Sequence, residues 1–198
     1  PRTLRIEGTA SQPVVIRNGS RMAPAVASQS WEVIGTHYTI EGIDFRGVVT
    51  VLAPSDTATI RDCEFQGTAT TRAGIVIASY TGDWNRQITL YRNWIHDSGD
   101  VNALFDQDFH GIGIGPRASD LYIEQNRLER CSGDGVQING GMGGHALLYD
   151  VFVSDNTALD NGQTGFWAKQ CTDVVFFRNV VSGARPRYNA DGTQRTTG

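Results

Sequence analysis

Six segments of the chain read alike: Tyr38–Gly47, Ala58–Gly67, Ile88–Gly99, Leu121–Gly133, Val151–Gly162 and Val174–Gly183. Each runs apolar, any, apolar, two residues, a special position, any, apolar, then a turn that closes on Gly. The special position is Ile43, Cys63, Asn93, Asn126, Asn156 and Asn179 in turn, with steps of 20, 30, 33, 30 and 23 residues. A shorter motif follows most of them: Gly74–Ile77, Gly111–Ile114, Gly135–Ile138 and Gly165–Ala168. Both motifs alternate with period two, which predicts strands with one buried face.

A strand repeat at this spacing, with no helical segment between, leaves few architectures. A propeller blade needs four strands in about 40–45 residues, and a sandwich does not demand self-similar sequence. Stacked coils do, because each lies on its neighbour in register and identical positions form ladders. An Asn column fits this: an Asn at a bend offers its amide to the Asn or backbone of the next coil. Composition agrees. The chain carries 15 Asp, 10 Asn and 23 Gly, residues that favour turns over helices. The expected fold is all-β, a single-stranded parallel β-helix of about seven coils over residues 1–198, with 184–198 as a polar C-terminal segment.

Several classes are excluded. The net charge of −4 argues against a nucleic-acid partner. No apolar run is long enough for a membrane-spanning helix. Cys63, Cys131 and Cys171 form neither a CxxC pair nor an even framework, so neither zinc nor disulfides are expected.

Period two also sorts the short strands into faces. Ile75, Ile77, Ile112, Ile114, Val136, Ile138, Phe166 and Ala168 point inward. The outward set then gathers His110, Asp134, Gln137, Asn139, Trp167 and Lys169 into one patch. These residues suit a sugar. Trp167 offers a flat ring face, while Gln137 and Asn139 can both donate and accept. Lys169 is the one lysine beside 16 arginines; a lysine can give up its proton, an arginine effectively cannot. His110 could serve as acid or base near neutral pH.

The combined Asn-bearing and Gly-led pattern resembles the right-handed parallel β-helix of the pectate-lyase superfamily over roughly residues 4–183. The opening stretches Ile6–Ile16 and Trp31–Phe45 are similar to the first coils of chondroitinase-B-like and alginate-lyase-like polysaccharide lyases. That resemblance implies an extracellular enzyme, its export signal not carried in this chain, that abstracts a proton from an acidic, uronate-containing glycan. It implies Lys169 as the base, with His110 and Asp134 assisting. Trp167, Gln137, Asn139, His145 and Arg187 would contact substrate, with Arg185 and Arg195 as further candidate arginines. The family's acidic calcium ligands are not present; Thr164 and Gly162 stand there instead. No capping helix is legible before Pro1, so stacking against further coils or subunits is a second expectation.

The insertion between Asn93 and Gly111 is the other distinctive feature. Its Asp106-x-Asp108 spacing offers oxygen ligands for Ca²⁺, and His96 with His110 is a weaker metal pair. Gly140–His145 reads as a flexible rim. Two alternatives to a lyase stay open: a non-catalytic glycan-binding, adhesin or fibre module, and a glycoside hydrolase using Asp106, Asp108 and Asp134.

Overall fold

The computed structural model describes residues 2–19, 25–103, 107–141 and 147–183. His145, Arg185, Arg187, Arg195 and Asp106 lie outside them. Every strand pair in the described residues is parallel. Each coil contributes to three faces.

The first face holds the short motifs, Gly74–Ala78, Ile112–Ile114, Val136–Asn139 and Phe166–Lys169. The second holds the front half of the long motif, Asn85–Tyr91, Ala118–Glu124, Leu148–Ser154 and Val174–Phe177. These faces join through the long strand Val48–Arg61, whose first half pairs with Gly74–Ala78 and second half with Asn85–Tyr91. The third face is a separate sheet of seven strands, three residues each, among them Trp94–His96 and Arg127–Glu129.

The inward residues stack in columns. Val49, Ile75, Ile112, Val136 and Phe166 lie in register on the first face. Ile40, Ile60, Leu90, Ile123 and Val153 do so on the second, and Phe45, Phe65, Ile95 and Leu128 on the third. The Phe45 and Phe65 rings stack with centroids 4.9 Å apart. Apart from Phe166, these residues are fully buried, which places the core along the axis of the coils.

The Asn column does at the second corner what its spacing predicts. Asn126 Oδ1 accepts from the Asn93 backbone N–H and from Asn93 Nδ2, both at 3.0 Å. Its own Nδ2 donates to Leu90 O at 2.9 Å and to Asn156 Oδ1 at 3.0 Å. Asn156 and Asn179 repeat the pattern. Cys63 ends the ladder, its backbone N–H donating to Asn93 Oδ1 at 3.2 Å.

Just before each of these positions the chain passes through the left-handed region, at Asp62, Arg92, Gln125, Asp155 and Arg178. A second left-handed column, Asp97, Arg130 and Asp160, marks the third corner, and a third opens the second face. Short polar side chains tolerate that conformation best, which accounts for much of the Asp content. Within the columns, acids and bases of neighbouring coils pair. Arg92 grips Asp62 through two bonds of 2.8 and 2.9 Å, and Arg178 grips Asp155 through two of 2.8 and 2.7 Å.

The glycine that opens each short motif is a packing requirement. A Cβ on Gly74 would stand 2.2 Å from Gly111 O, and one on Gly135 would stand 2.5 Å from Gly165 O. At Gly74, Gly111 and Gly135 successive coils approach backbone to backbone, and at Gly165 the Val181 side chain fills the space instead.

Candidate functional site

The first face carries the candidate site. Its outward column is Thr50, Val76, Gly113, Gln137 and Trp167 in register. Asn139 pairs with Lys169 in the next coil. Lys169 Nζ lies 4.5 Å from the centroid of the Trp167 ring, a cation–π arrangement. Gln137, Asn139, Trp167 and Lys169 are all half-buried, as a surface that can take a ligand should be.

Sequence reasoning missed a fifth member, Arg72. Its guanidinium lies over Gly113: a Cβ there would sit 3.4 Å from Arg72 Nη2. Nε is buried with no hydrogen-bond partner, and no carboxylate among the described residues bonds or ion-pairs with the side chain. Burial pushes its pKa below the ordinary arginine value, and nearby groups, the Asp108 carboxylate among them, offset only part of that. The charge is nonetheless retained. A half-buried guanidinium that ion-pairs with no carboxylate among the described residues is costly, and the gap at Gly113 is what admits it. Nothing in the local pattern of Thr71-Arg72-Ala73 announces this, because the room comes from a glycine 41 residues further on.

His110 and Asp134 require a correction. Both were expected to face outward; they are 6% and 1% exposed. Asp134 Oδ1 accepts from the Thr164 backbone N–H at 3.0 Å and from Thr164 Oγ1 at 2.7 Å. Its Oδ2 accepts from Gln137 Nε2 at 3.3 Å. The Asp134 backbone N–H donates to His110 Nδ1 at 2.9 Å, and His110 Nε2 lies 3.8 Å from Asp108 Oδ1. The chain turns at the glycine that follows each, so the alternation of faces stops there and the side chains fold into the corner. Gly133 leaves the space: a Cβ on it would stand 2.5 Å from His110 Nδ1. Five residues, about 16 Å of extended chain, separate Asp134 from Asn139, the partner of Lys169. The His110–Asp134 pair therefore braces the corner and is not beside Lys169.

Asp108 is held by Gln163, whose Nε2 donates to Oδ1 at 3.0 Å. No group of three His, Cys, Asp or Glu among the described residues could hold a metal ion. None of the three cysteines forms a disulfide. Burial pushes Cys63 up to about 11 and Cys131 up to about 12, and raises Cys171, so Cys63 and Cys131 are packing groups, not nucleophiles.

His96 belongs to the third face. It stacks on Trp94 with centroids 4.1 Å apart and lies between Asp97 (2.7 Å) and Glu64 (3.2 Å). Burial alone would push Glu129 up, but hydrogen bonds from Arg127 and from Trp94 Nε1 (3.1 Å) outweigh it and hold the carboxyl below the usual range. The Arg130 guanidinium pulls Asp97 from 3.8 down to about 2, against the opposing effect of burial. A carboxyl lowered in the folded state stabilises the fold above its unfolded value and loses that contribution as pH falls through the folded one. The melting temperature is thus expected to drop between about pH 4 and pH 2, and Asp97→Asn, which keeps the left-handed corner, to flatten part of that drop. An unchanged acid profile in the variant would show that the pair is not a stabilising contact.

The parallel coils, the Asn ladder and the three-faced core together define the family. A family model described as a right-handed β-helix region matches residues 26–190. The chain belongs to the right-handed β-helix family. Among solved structures, this β-helix is similar to an alginate lyase from Paenibacillus sp. str. FPU-7, at 18% identity and a TM-score of 0.45. The match covers 91% of this chain and 66% of that one, so the β-helix spans less than two thirds of that lyase's length. No curated protein matches the sequence. Among the described residues no helix is long and apolar enough to cross a membrane.

Proposed function

We propose that the first face binds an acidic, uronate-containing polysaccharide outside the cell and acts on it by proton abstraction, as a lyase or epimerase, with Lys169 as the base. The observation that carries this reading is two cations on one sheet face that ion-pair with no carboxylate among the described residues, Arg72 over Gly113 and Lys169 over Trp167. Gln137 stands between them in register. Two strand spacings, about 9.6 Å, separate Gly113 from Trp167. Arg72 therefore holds the carboxylate of one sugar, and Lys169 reaches its neighbour, stacked on Trp167.

In elimination, Lys169 Nζ takes the proton α to the carboxylate. The C–H electrons form the new double bond, and the glycosidic C–O bond breaks with its electrons on the leaving oxygen, which a solvent proton neutralises. The amine must be neutral to take the proton.

The burial of His110 and Asp134 favours a second reading, binding without turnover, because it leaves Lys169 with no described assistant. A hydrolase built on Asp134 is the weakest option, since both its oxygens are engaged inside the corner.

A panel of uronate and neutral glycans, scored for ultraviolet-absorbing unsaturated ends against new reducing ends, separates the three. Unsaturated product from uronate polymers alone is expected. Arg72→Met, which keeps the stem and loses the charge, should weaken uronate-oligosaccharide binding at least about tenfold. Undiminished affinity in a folded variant would remove Arg72 from the site.

A further inference from the structure

The second face carries a groove that plays no part in the first-face site. Two shallow depressions, of about 330 and 400 Å³, share Thr57, Thr59 and Gln87. One reaches Thr39 and His37; the other reaches Thr89, Asp120 and Tyr122. Thr39, Thr59 and Thr89 are consecutive rungs of one outward column. Their hydroxyls stand about 4.8 Å apart along the axis, and no protein group among the described residues engages them. The same column continues into Tyr122 and Phe152. Those two rings stack nearly parallel, centroids 6.0 Å apart at 14°, with 44% and 45% of each residue exposed.

We infer that this groove is a second carbohydrate site, and that its ligand is a neutral glycan chain lying along the coil axis. A flat aromatic pair beside a row of free hydroxyls and a Gln amide can stack on a sugar ring and bond its hydroxyls. Charge decides the class of glycan. The groove's own charged group is the Asp120 carboxylate, and Asp150 and Asp173 follow it in the same left-handed column. Arg86, next to Gln87, lies over the Trp84 ring, and Arg61 in the neighbouring outward column is held by Glu41. The groove thus has no surplus cation to hold an anionic polymer, whereas on the first face Arg72 and Lys169 ion-pair with no carboxylate among the described residues. The two faces thus sort glycans by charge: acidic to the first, neutral to the second.

The test is calorimetry on the whole chain with cello-, xylo- and β-1,3-gluco-oligosaccharides, beside a uronate oligosaccharide. At least one neutral probe is expected to bind, and Tyr122→Ala and Phe152→Ala to weaken it at least about tenfold while leaving uronate binding unchanged. Both side chains are exposed, so the fold should survive, and circular dichroism checks that it does. Failure of all three neutral probes overturns the inference, as does unaltered affinity in both variants. Sedimentation that shows Tyr122→Ala abolishing self-association would reassign the face to contacts between copies of the chain. None of these outcomes bears on the first-face reading, which Arg72→Met tests separately.

Discussion

Asn126→Ala should lower the stability of the fold by at least about 3 kcal/mol, and the melting temperature by about 6–12 °C for a chain of this size. The side chain makes four hydrogen bonds inside the protein, two accepted from Asn93 and two donated to Leu90 O and Asn156 Oδ1. Truncation strands the Asn93 backbone N–H and the Leu90 carbonyl and takes one of two acceptors from the Asn93 amide, at a position 1% exposed. Each buried orphan costs about 1–3 kcal/mol, and water cannot reach in to replace the lost partner. Asn179→Ala is the control. It caps the same ladder, is only half-buried, and should cost about 1 kcal/mol. Equal losses in the two variants would mean that the ladder is not a cooperative network. Chemical denaturation monitored by far-ultraviolet circular dichroism gives both numbers.

That ladder shows what could be read from the chain before its structure. The offset of Asn93, Asn126, Asn156 and Asn179 from the flanking apolar residues is a one-dimensional signature of a stacked register, and the stack forms as the spacing implies. The buried columns were legible for the same reason, because alternation within a strand is a local property. Alternation fails where the strand ends. His110 and Asp134 lie one residue before the glycine of their short motifs, and there the chain turns, so extrapolating the pattern backwards placed them on the wrong side. Arg72 illustrates the complementary limit. Its site is the space above Gly113, made by a residue in another coil, and only the register of Gly113 against Val76 reveals it. The paired charges at the corners, Arg92 on Asp62 and Arg178 on Asp155, were legible in principle. Each acid or base immediately precedes the ladder position, and Asp62–Arg92 and Asp155–Arg178 are pairs of opposite sign in successive coils. The missing step was recognising that the residue before each Asn is itself a column.

The fate of Lys169 distinguishes catalysis from recognition. Lys169→Ala should reduce unsaturated-product formation by about 10²–10⁴-fold, the usual contribution of a positioned base. Loss in the alanine variant alone is ambiguous, because the lysine both touches Trp167 and supplies a charge that a uronate would seek. Lys169→Arg resolves it. Arginine keeps the positive charge and stacks on an aromatic face at least as well, but it does not surrender its proton. If Lys169 takes the substrate proton, the arginine variant binds uronate oligosaccharides about as tightly as the parent and still loses product formation as severely as alanine does. If Lys169 only holds the glycan, arginine restores whatever alanine removed. Binding is read by calorimetry and turnover by ultraviolet absorbance, so the two quantities are independent. Retention of full turnover in Lys169→Arg would exclude Lys169 as the base and leave the first face as a recognition surface built around Arg72, Gln137 and Trp167.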